Sequence, residues 1–226
     1  MRVQGLHCSA CSIGLLTVPL DHHAVEPQEF SEYMAGFSVN QEKQQYSDQE
    51  LVVKTLVDKQ KFAAIVRRYE APLLRYIVRQ GCKDTGMAQD LLQEVFIKAY
   101  LHLNDYDPTL TFSSWIYRIA HNETVSHFRK EKNRPCVLSR GEDDLLFERI
   151  VDDLGLEEPE NQKHPTSEIQ AAVDGLESRY RDIIVLKFFE EKSYEEISDI
   201  LQMPEGTVAT LINRAKKKIK ACLEKK

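Results

Sequence analysis

Glycine and proline are scarce in this 226-residue chain, at 9 and 8, and a single tryptophan stands alone. So few helix breakers exclude a collagen-like or Gly/Pro-rich low-complexity protein. No run of about 18 apolar residues occurs, so no membrane insertion through a spanning helix is expected. The apolar stretch from Ser12 to Leu20 has only Arg2 ahead of it and no clean small-residue cleavage site behind it, a poor match to a signal peptide. The five cysteines, Cys8, Cys11, Cys82, Cys136 and Cys222, are odd in number and mostly far apart. That is not a secreted disulfide framework, and free thiols fit a cytoplasmic location. Phosphate-binding glycine loops and nucleophile–base sets are missing too, so neither an enzyme nor a cofactor is expected.

What is present is helical periodicity and an uneven distribution of charge. The net charge of −6 argues at first against a nucleic-acid partner, but its distribution matters more than its sum. From Glu142 to Glu168 there are ten acids against two bases; from Glu205 to the C-terminus there are seven bases against two acids. An acidic middle joins a basic end.

Residues 1–47 are poorly patterned and read as a disordered extension. Asp48, followed by Gln49, Glu50 and Leu51, reads as an acidic helix cap. Phe62, Ile65, Val66, Tyr69, Leu73 and Ile77 then follow the spacing of one buried helix face, which Gly81 terminates. Pro72 should bend or divide that helix. A second helix is expected from about Gly86 to Leu103, with Ala88, Leu91, Leu92, Val95, Ala99 and Leu103 inward. A loop over Asn104 to Thr111 precedes a third helix from about Ser113 to Lys132, which stops before Pro135. Residues 136–165 read as an acidic linker, with Leu145, Leu146, Phe147, Ile150 and Val151 able to form a short helix. Residues 166–226 are helical again. Neither strand-like alternation nor an internal repeat is evident. The expected fold class is all-α: two small helical domains, 48–135 and 166–226, joined by the acidic linker, the second a helix-turn-helix.

The strongest local pattern runs from Ser193 to Lys216 (SYEEISDILQMPEGTVATLINRAK). It reads as a short helix with Ile197 and Leu201 inward and Tyr194 at the same edge. A tight turn at Gln202 to Pro204 follows, then a longer helix with Val208, Leu211, Ile212, Ala215 and Ile219 as its apolar stripe. Ser198 is small where the two helices cross, as in a helix-turn-helix. The opposite face carries Thr210, Asn213, Arg214 and Lys217, with Lys216, Lys218 and Lys220 flanking. Such a helix fits a DNA major groove: its N-terminal residues Glu205 to Thr210 lie deepest, and its cations neutralise phosphate. The plain alternative is a helical hairpin with a solvated basic face. Turn, small residue and charge asymmetry together favour DNA.

That string resembles region 4 of bacterial sigma factors. The first helical block carries a stronger likeness. Ala88 to Tyr100 (AQDLLQEVFIKAY) resembles region 2.2, and Phe112 to Asn122 (FSSWIYRIAHN), continuing to Phe128-Arg129-Lys130, resembles regions 2.3 and 2.4. The two blocks occur in the family's order, without room for a full region 3 or 1.1 domain, which points to the extracytoplasmic-function group of the sigma-70 family. The resemblance implies partners: core RNA polymerase through its β′ clamp and β flap, promoter DNA, and an anti-sigma factor. It also implies three sets of site residues. Asp90, Gln93, Glu94 and Ile97 would grip polymerase. Asn104, Tyr106, Arg118, His121, Asn122, Val125, Arg129 and Lys130 would read and open the −10 element, with Asp107 beside them in a base-capturing loop. Glu205, Thr207, Thr210, Asn213, Arg214 and Lys217 would read the −35 element. Trp115 is expected in the core rather than as a wedge between bases. His121, Ser126, Ala209 and Leu211 depart from residue types common in the family.

Two other readings compete. Cys8-Ser-Ala-Cys11, with His7, His22 and His23 nearby, has metal-ligand spacing, but one CxxC without a second pair is more often unliganded. A free-standing repressor or activator would use the same helix-turn-helix, yet would have no need of a polymerase-binding helix.

Overall fold

Side-chain caps start α-helices in both halves of the described chain. In the computed structural model, which describes residues 46–82, 84–131, 150 and 166–224, α1 spans Asp48–Val57. Its cap is Ser47 rather than Asp48. The Ser47 hydroxyl accepts from the Glu50 backbone N–H, and the Glu50 carboxylate accepts from the Ser47 N–H in return, a capping box. The Asp48 carboxylate instead accepts from Arg68 Nη1 (2.5 Å) and Tyr69 Oη (2.6 Å), fastening α1 to the next helix. Burial raises the Tyr69 phenol pKa, as does its bond to Asp48, so Tyr69 remains a donor.

Helix α2 runs Phe62–Arg79 without interruption at Pro72. The expected division falls earlier, at Asp58, whose carboxylate accepts from the Gln60 N–H and opens a 3₁₀ turn at Lys59–Lys61. Proline removes one helical hydrogen bond, but Leu73, Tyr76 and Ile77 just beyond it are fully buried, and this packing holds the helix through it. Gly81, at φ 114°, supplies the left-handed turn that ends the segment. Helix α3 (Thr85–Leu101) starts on Asp84, which accepts from the Gly86 N–H, and stops before Leu103, which is buried in a 3₁₀ turn. Helix α4 spans Phe112–Glu131. Helices α2, α3 and α4 pack on one another around an aromatic centre. In it Phe62 meets Phe96 and Tyr100, Tyr69 meets Phe112, and Tyr76 meets Tyr117, all edge to face.

The C-terminal half begins with α5 (Thr166–Asp174) and α6 (Ser178–Ile184), which continues into a π turn at Val185–Phe189. Helices α7 (Tyr194–Leu201) and α8 (Glu205–Leu223) complete it. Its core is largely aliphatic, built on Ile183, Ile184, Val185, Leu186, Ile197, Val208, Ile212 and Ile219. Ile150 is also fully buried. The described helices all fall within one compact unit, Ser38–Lys226, in which α4 packs against α7. Among the described residues there is no strand, and no helix long and apolar enough to cross a membrane. Residues 1–45, including Cys8 and Cys11, and the linker's Leu145 to Phe147 lie outside the described residues.

Candidate nucleic-acid interface

Helix α3 divides into two faces. Ala88, Leu91, Leu92, Val95 and Ala99 are buried, which turns Asp90, Gln93 and Glu94 to solvent and leaves Ile97 half-buried at their edge. The expected strip is thus one continuous surface at helical spacing. Asp84, Met87 and His127 join Asp90 and Glu94 around an open groove, and His127 Nε2 lies 3.1 Å from Met87 Sδ. The carboxylates here suit a basic partner. A Lys98–Glu123 ion pair (2.6 Å) holds this helix against α4.

The loop before α4 differs from expectation at Tyr106. Asn104 is exposed, but Tyr106 is buried: its hydroxyl donates to the Leu110 carbonyl (2.6 Å) and its ring packs edge to face on Phe112 and Trp115. Burial, aided by the charges of Asp48 and Asp107, raises the phenol pKa and keeps it a donor. Tyr106 therefore shapes the loop from beneath rather than offering a ring to a base. Asp107 is exposed and accepts from both the N–H and the hydroxyl of Thr109, which hold its carboxyl below the usual carboxylate range. Trp115 lies in the core, as expected.

On α4, Asn122, Arg129 and Lys130 are exposed, while Arg118, His121 and Val125 are half-buried. His121 Nδ1 sits 3.1 Å from the Tyr76 hydroxyl, so this ring is anchored from the core side. Arg118 lines a groove with Ser198, Asp199, Gln202, Met203 and Pro204 of the helix-turn-helix. The strip is present, and its N-terminal end is flanked by the second half of the molecule.

In the helix-turn-helix, Ser193 and Glu196 form a second capping box that starts α7. Ile197 and Ile200 are buried; Leu201, expected inward, is half-buried, and Tyr194 is exposed beneath Lys187. Gln202 takes the left-handed conformation (φ 53°), and Ser198 closes the turn by donating to the Met203 carbonyl (2.6 Å). Ser198 is therefore more than a small residue at a crossing. On α8, Val208, Leu211, Ile212, Ala215 and Ile219 face inward. Leu211 thus belongs to the core, and its departure from the family pattern has no direct bearing on DNA. Glu205, Thr207, Thr210, Asn213, Arg214 and Lys217 are all exposed on one side, with the Thr210 hydroxyl donating back to the Gly206 carbonyl. The flanking lysines separate from this set. Lys218 pairs with Glu177 (2.7 Å), lies over the Tyr180 ring and holds the Glu177 carboxyl below its ordinary range. Lys216 lies toward Phe188.

Sequence reasoning missed a polar cluster between the two halves. The Glu190 side chain, 4% exposed, accepts from Arg79 Nη1 (2.8 Å) and Tyr117 Oη (2.7 Å). Lys192 Nζ donates to Ser113 Oγ (2.5 Å) and lies over the Tyr117 ring. These partners stand 73 to 111 positions apart along the chain, so no local spacing announces them.

Four helices, α1 to α4, with an acidic strip exposed on α3, followed by a helix-turn-helix with a basic face, fit the class of DNA-binding transcription factors. The model of Sigma-70 region 2 matches residues 65–134, and that of Sigma-70, region 4 matches residues 166–219. The chain is 34% identical over 167 residues to the ECF RNA polymerase sigma factor SigW of Bacillus subtilis, covering 72% of this chain and 89% of that protein. It is also 34% identical over 185 residues to the RNA polymerase sigma-H factor of Pseudomonas aeruginosa, covering 80% and 95%. The solved structure of CnrH in complex with the cytosolic domain of CnrY shares the fold, with a TM-score of 0.57 at 21% identity over 78% of this chain and 97% of that one. The chain belongs to the sigma-70 family, in its extracytoplasmic-function group. As a sigma factor it binds core RNA polymerase and directs it to specific promoters, where it helps open the −10 element.

Proposed function

We propose a division of labour in which three surfaces act in sequence. Asp90, Gln93, Glu94 and Ile97 dock on the β′ clamp of core polymerase, the carboxylates meeting its basic side chains. Asn104, Asp107, Arg118, His121, Asn122, Val125, Arg129 and Lys130 hold the −10 element, cations on phosphate and amides on exposed base edges. Tyr106 contributes by fixing the loop that carries Asn104 and Asp107. Glu205, Thr207, Thr210, Asn213, Arg214 and Lys217 enter the major groove at the −35 element, while the remainder of 166–226 leans on the β flap. Residues 48–135 and 166–226 serve as the two working domains and 136–165 as their tether.

The observation that carries this reading is the clean partition of α3: a fully apolar buried stripe against an exposed carboxylate–amide strip. A free-standing repressor has no use for that strip. The setting is the cytoplasm, where polymerase works, and an anti-sigma factor is the expected regulator. The solved relative CnrH, bound to the cytosolic domain of CnrY, supports such a partner. Run-off transcription with purified core enzyme tests the reading. A promoter-specific transcript is expected only when both core and this protein are present, and Asp90→Lys with Glu94→Lys should abolish it. Tight duplex binding without core, and no transcript with it, would favour the repressor.

A further inference from the structure

The loop from Asn104 to Thr111 is closed on itself. Tyr106 Oη donates to the Leu110 carbonyl, the Asp107 carboxylate accepts from Thr109, and the Leu110 N–H donates to the Asp107 carbonyl (3.1 Å). These bonds make the loop a unit without fixing where Asn104 and Asp107 stand over α4. A loop that captures one base needs that placement to about half an ångström.

We propose that Asp48 and Gln49, at the start of α1, are positioning residues that brace this loop for reading the −10 strand. The inference rests on the assignment of Asn104 and Asp107 to the −10 element. Helix α1 packs against α2, α4 and the 3₁₀ turn at Leu103–Asp105, so it meets the chain on both sides of the loop tip. Two routes of contact leave its first turn. The direct one is Gln49 Nε2, which donates to the Pro108 carbonyl (3.4 Å), 59 positions along the chain. Pro108 follows Asp107, so this bond ties down the part of the loop that carries the carboxylate.

The indirect route passes through the core. Asp48 Oδ2 accepts from Tyr69 Oη (2.6 Å), the Tyr69 ring packs edge to face on Phe112 (5.6 Å), and Phe112 packs edge to face on Tyr106 (5.4 Å). Rings in contact pass on a displacement because a close-packed interior yields little. Asp48 is itself held. Arg68 Nη1 binds its other oxygen, and Arg68 Nη2 donates to the Tyr46 carbonyl (2.6 Å) just ahead of the helix. Burial and the charge of Asp48 raise the Tyr106 phenol pKa, so the helix start and the loop's pillar are electrostatic neighbours. Leu51 and Val52 already seat α1 by apolar burial. The polar contacts are additional to that seat, and they converge from one turn on one loop. The region 2 match begins at residue 65, so α1 stands ahead of the span that family likeness covers.

The test uses polymerase holoenzyme assembled with each variant. Its probes are fluorescent single strands carrying the −10 element of a mapped promoter, each base replaced in turn by an abasic site. Wild type should lose about tenfold in affinity at the position the loop holds, the ordinary worth of one base in a site. Asn104→Ala locates that position, because it should erase the penalty there and nowhere else. The Asp48 route is cut at Tyr69→Phe, which keeps the ring, removes the hydroxyl and leaves Asp48 its bond to Arg68. Gln49→Met removes the direct donor from an exposed side chain and keeps a good helix former. Both variants should erase the same penalty, binding the intact strand about tenfold more weakly and the abasic strand as wild type does. Unchanged far-ultraviolet circular dichroism separates this from unfolding. A penalty erased by Asn104→Ala but intact in both Tyr69→Phe and Gln49→Met overturns the brace and leaves the loop assignment standing. Equal weakening at every position overturns it too, since α1 is then only a scaffold. A penalty that survives Asn104→Ala at every position refutes the loop assignment, and the brace with it.

Discussion

The two halves of this protein solve packing differently. The first is centred on rings: Phe62, Tyr69, Tyr76, Phe96, Phe112, Trp115 and Tyr117 are all buried, many in edge-to-face contact. The second is centred on branched and straight aliphatics and has a serine-closed turn. Large flat rings fix helix spacing with few rotatable bonds, which holds the loop before α4 and the α4 strip in register. Aliphatic helix-turn-helix packing needs only two short helices crossed at one angle.

The sharpest way to break the contrast is to remove its keystones. Trp115→Ala should cost ~3–5 kcal/mol and Ile212→Ala ~2–5 kcal/mol. Denaturant unfolding checks the cost, and oligonucleotide titrations should show the first variant losing −10 binding and the second losing −35 duplex binding. Equal loss of both functions in either variant would show that the halves fold as a single cooperative unit. Next in size is the polymerase face. Asp90→Lys with Glu94→Lys should weaken core binding about 100-fold while moving stability by no more than ~0.5 kcal/mol, because both side chains are solvent-facing.

The basic face of α8 can be divided more finely. Arg214→Ala and Lys217→Ala should each reduce the salt slope of −35 duplex binding by ~0.9, one released counterion apiece. Lys218→Ala should leave that slope unchanged, since Lys218 pairs with Glu177 and lies over the Tyr180 ring. Ser193→Ala should remove the α7 capping box at a cost of ~1 kcal/mol. The smallest effect concerns pH. Bonds from Ser47 hold the Glu50 carboxyl below its ordinary value. Its contribution is therefore fully present above the ordinary carboxylate range and fades as pH falls through the lowered folded value. Glu50→Gln should flatten that acid limb in a stability-versus-pH titration.

Much of this was legible from residue order. The α3 partition followed from period alone, because the buried face needs apolar residues every three to four positions and the remainder must face water. The α8 stripe was legible for the same reason. Trp115 was correctly placed in the core by its neighbours. Three local judgements needed correction for identifiable causes. Pro72, expected to bend or divide its helix, does not divide it, since tertiary burial on the following turn outweighs one lost hydrogen bond. Ser47 displaced Asp48 as the cap, because Asp48 had distant partners in Arg68 and Tyr69. Tyr106, a ring in a polar loop, reads equally well as exposed platform or buried pillar, and only its bond to Leu110 and its contact with Trp115 decided between them.

The order of residues by itself determined the helices, their buried faces, the helix-turn-helix and the family, since each depends on interactions within a turn or two of the chain. Only the tertiary structure decided which charges remain available. Lys218 is paired with Glu177, whereas Arg214 and Lys217 have no ion-pair partner among the described residues, and Glu190 meets Arg79 across 111 positions. An ion pair depends on distance in space, and distance in space is set by packing rather than by spacing along the chain.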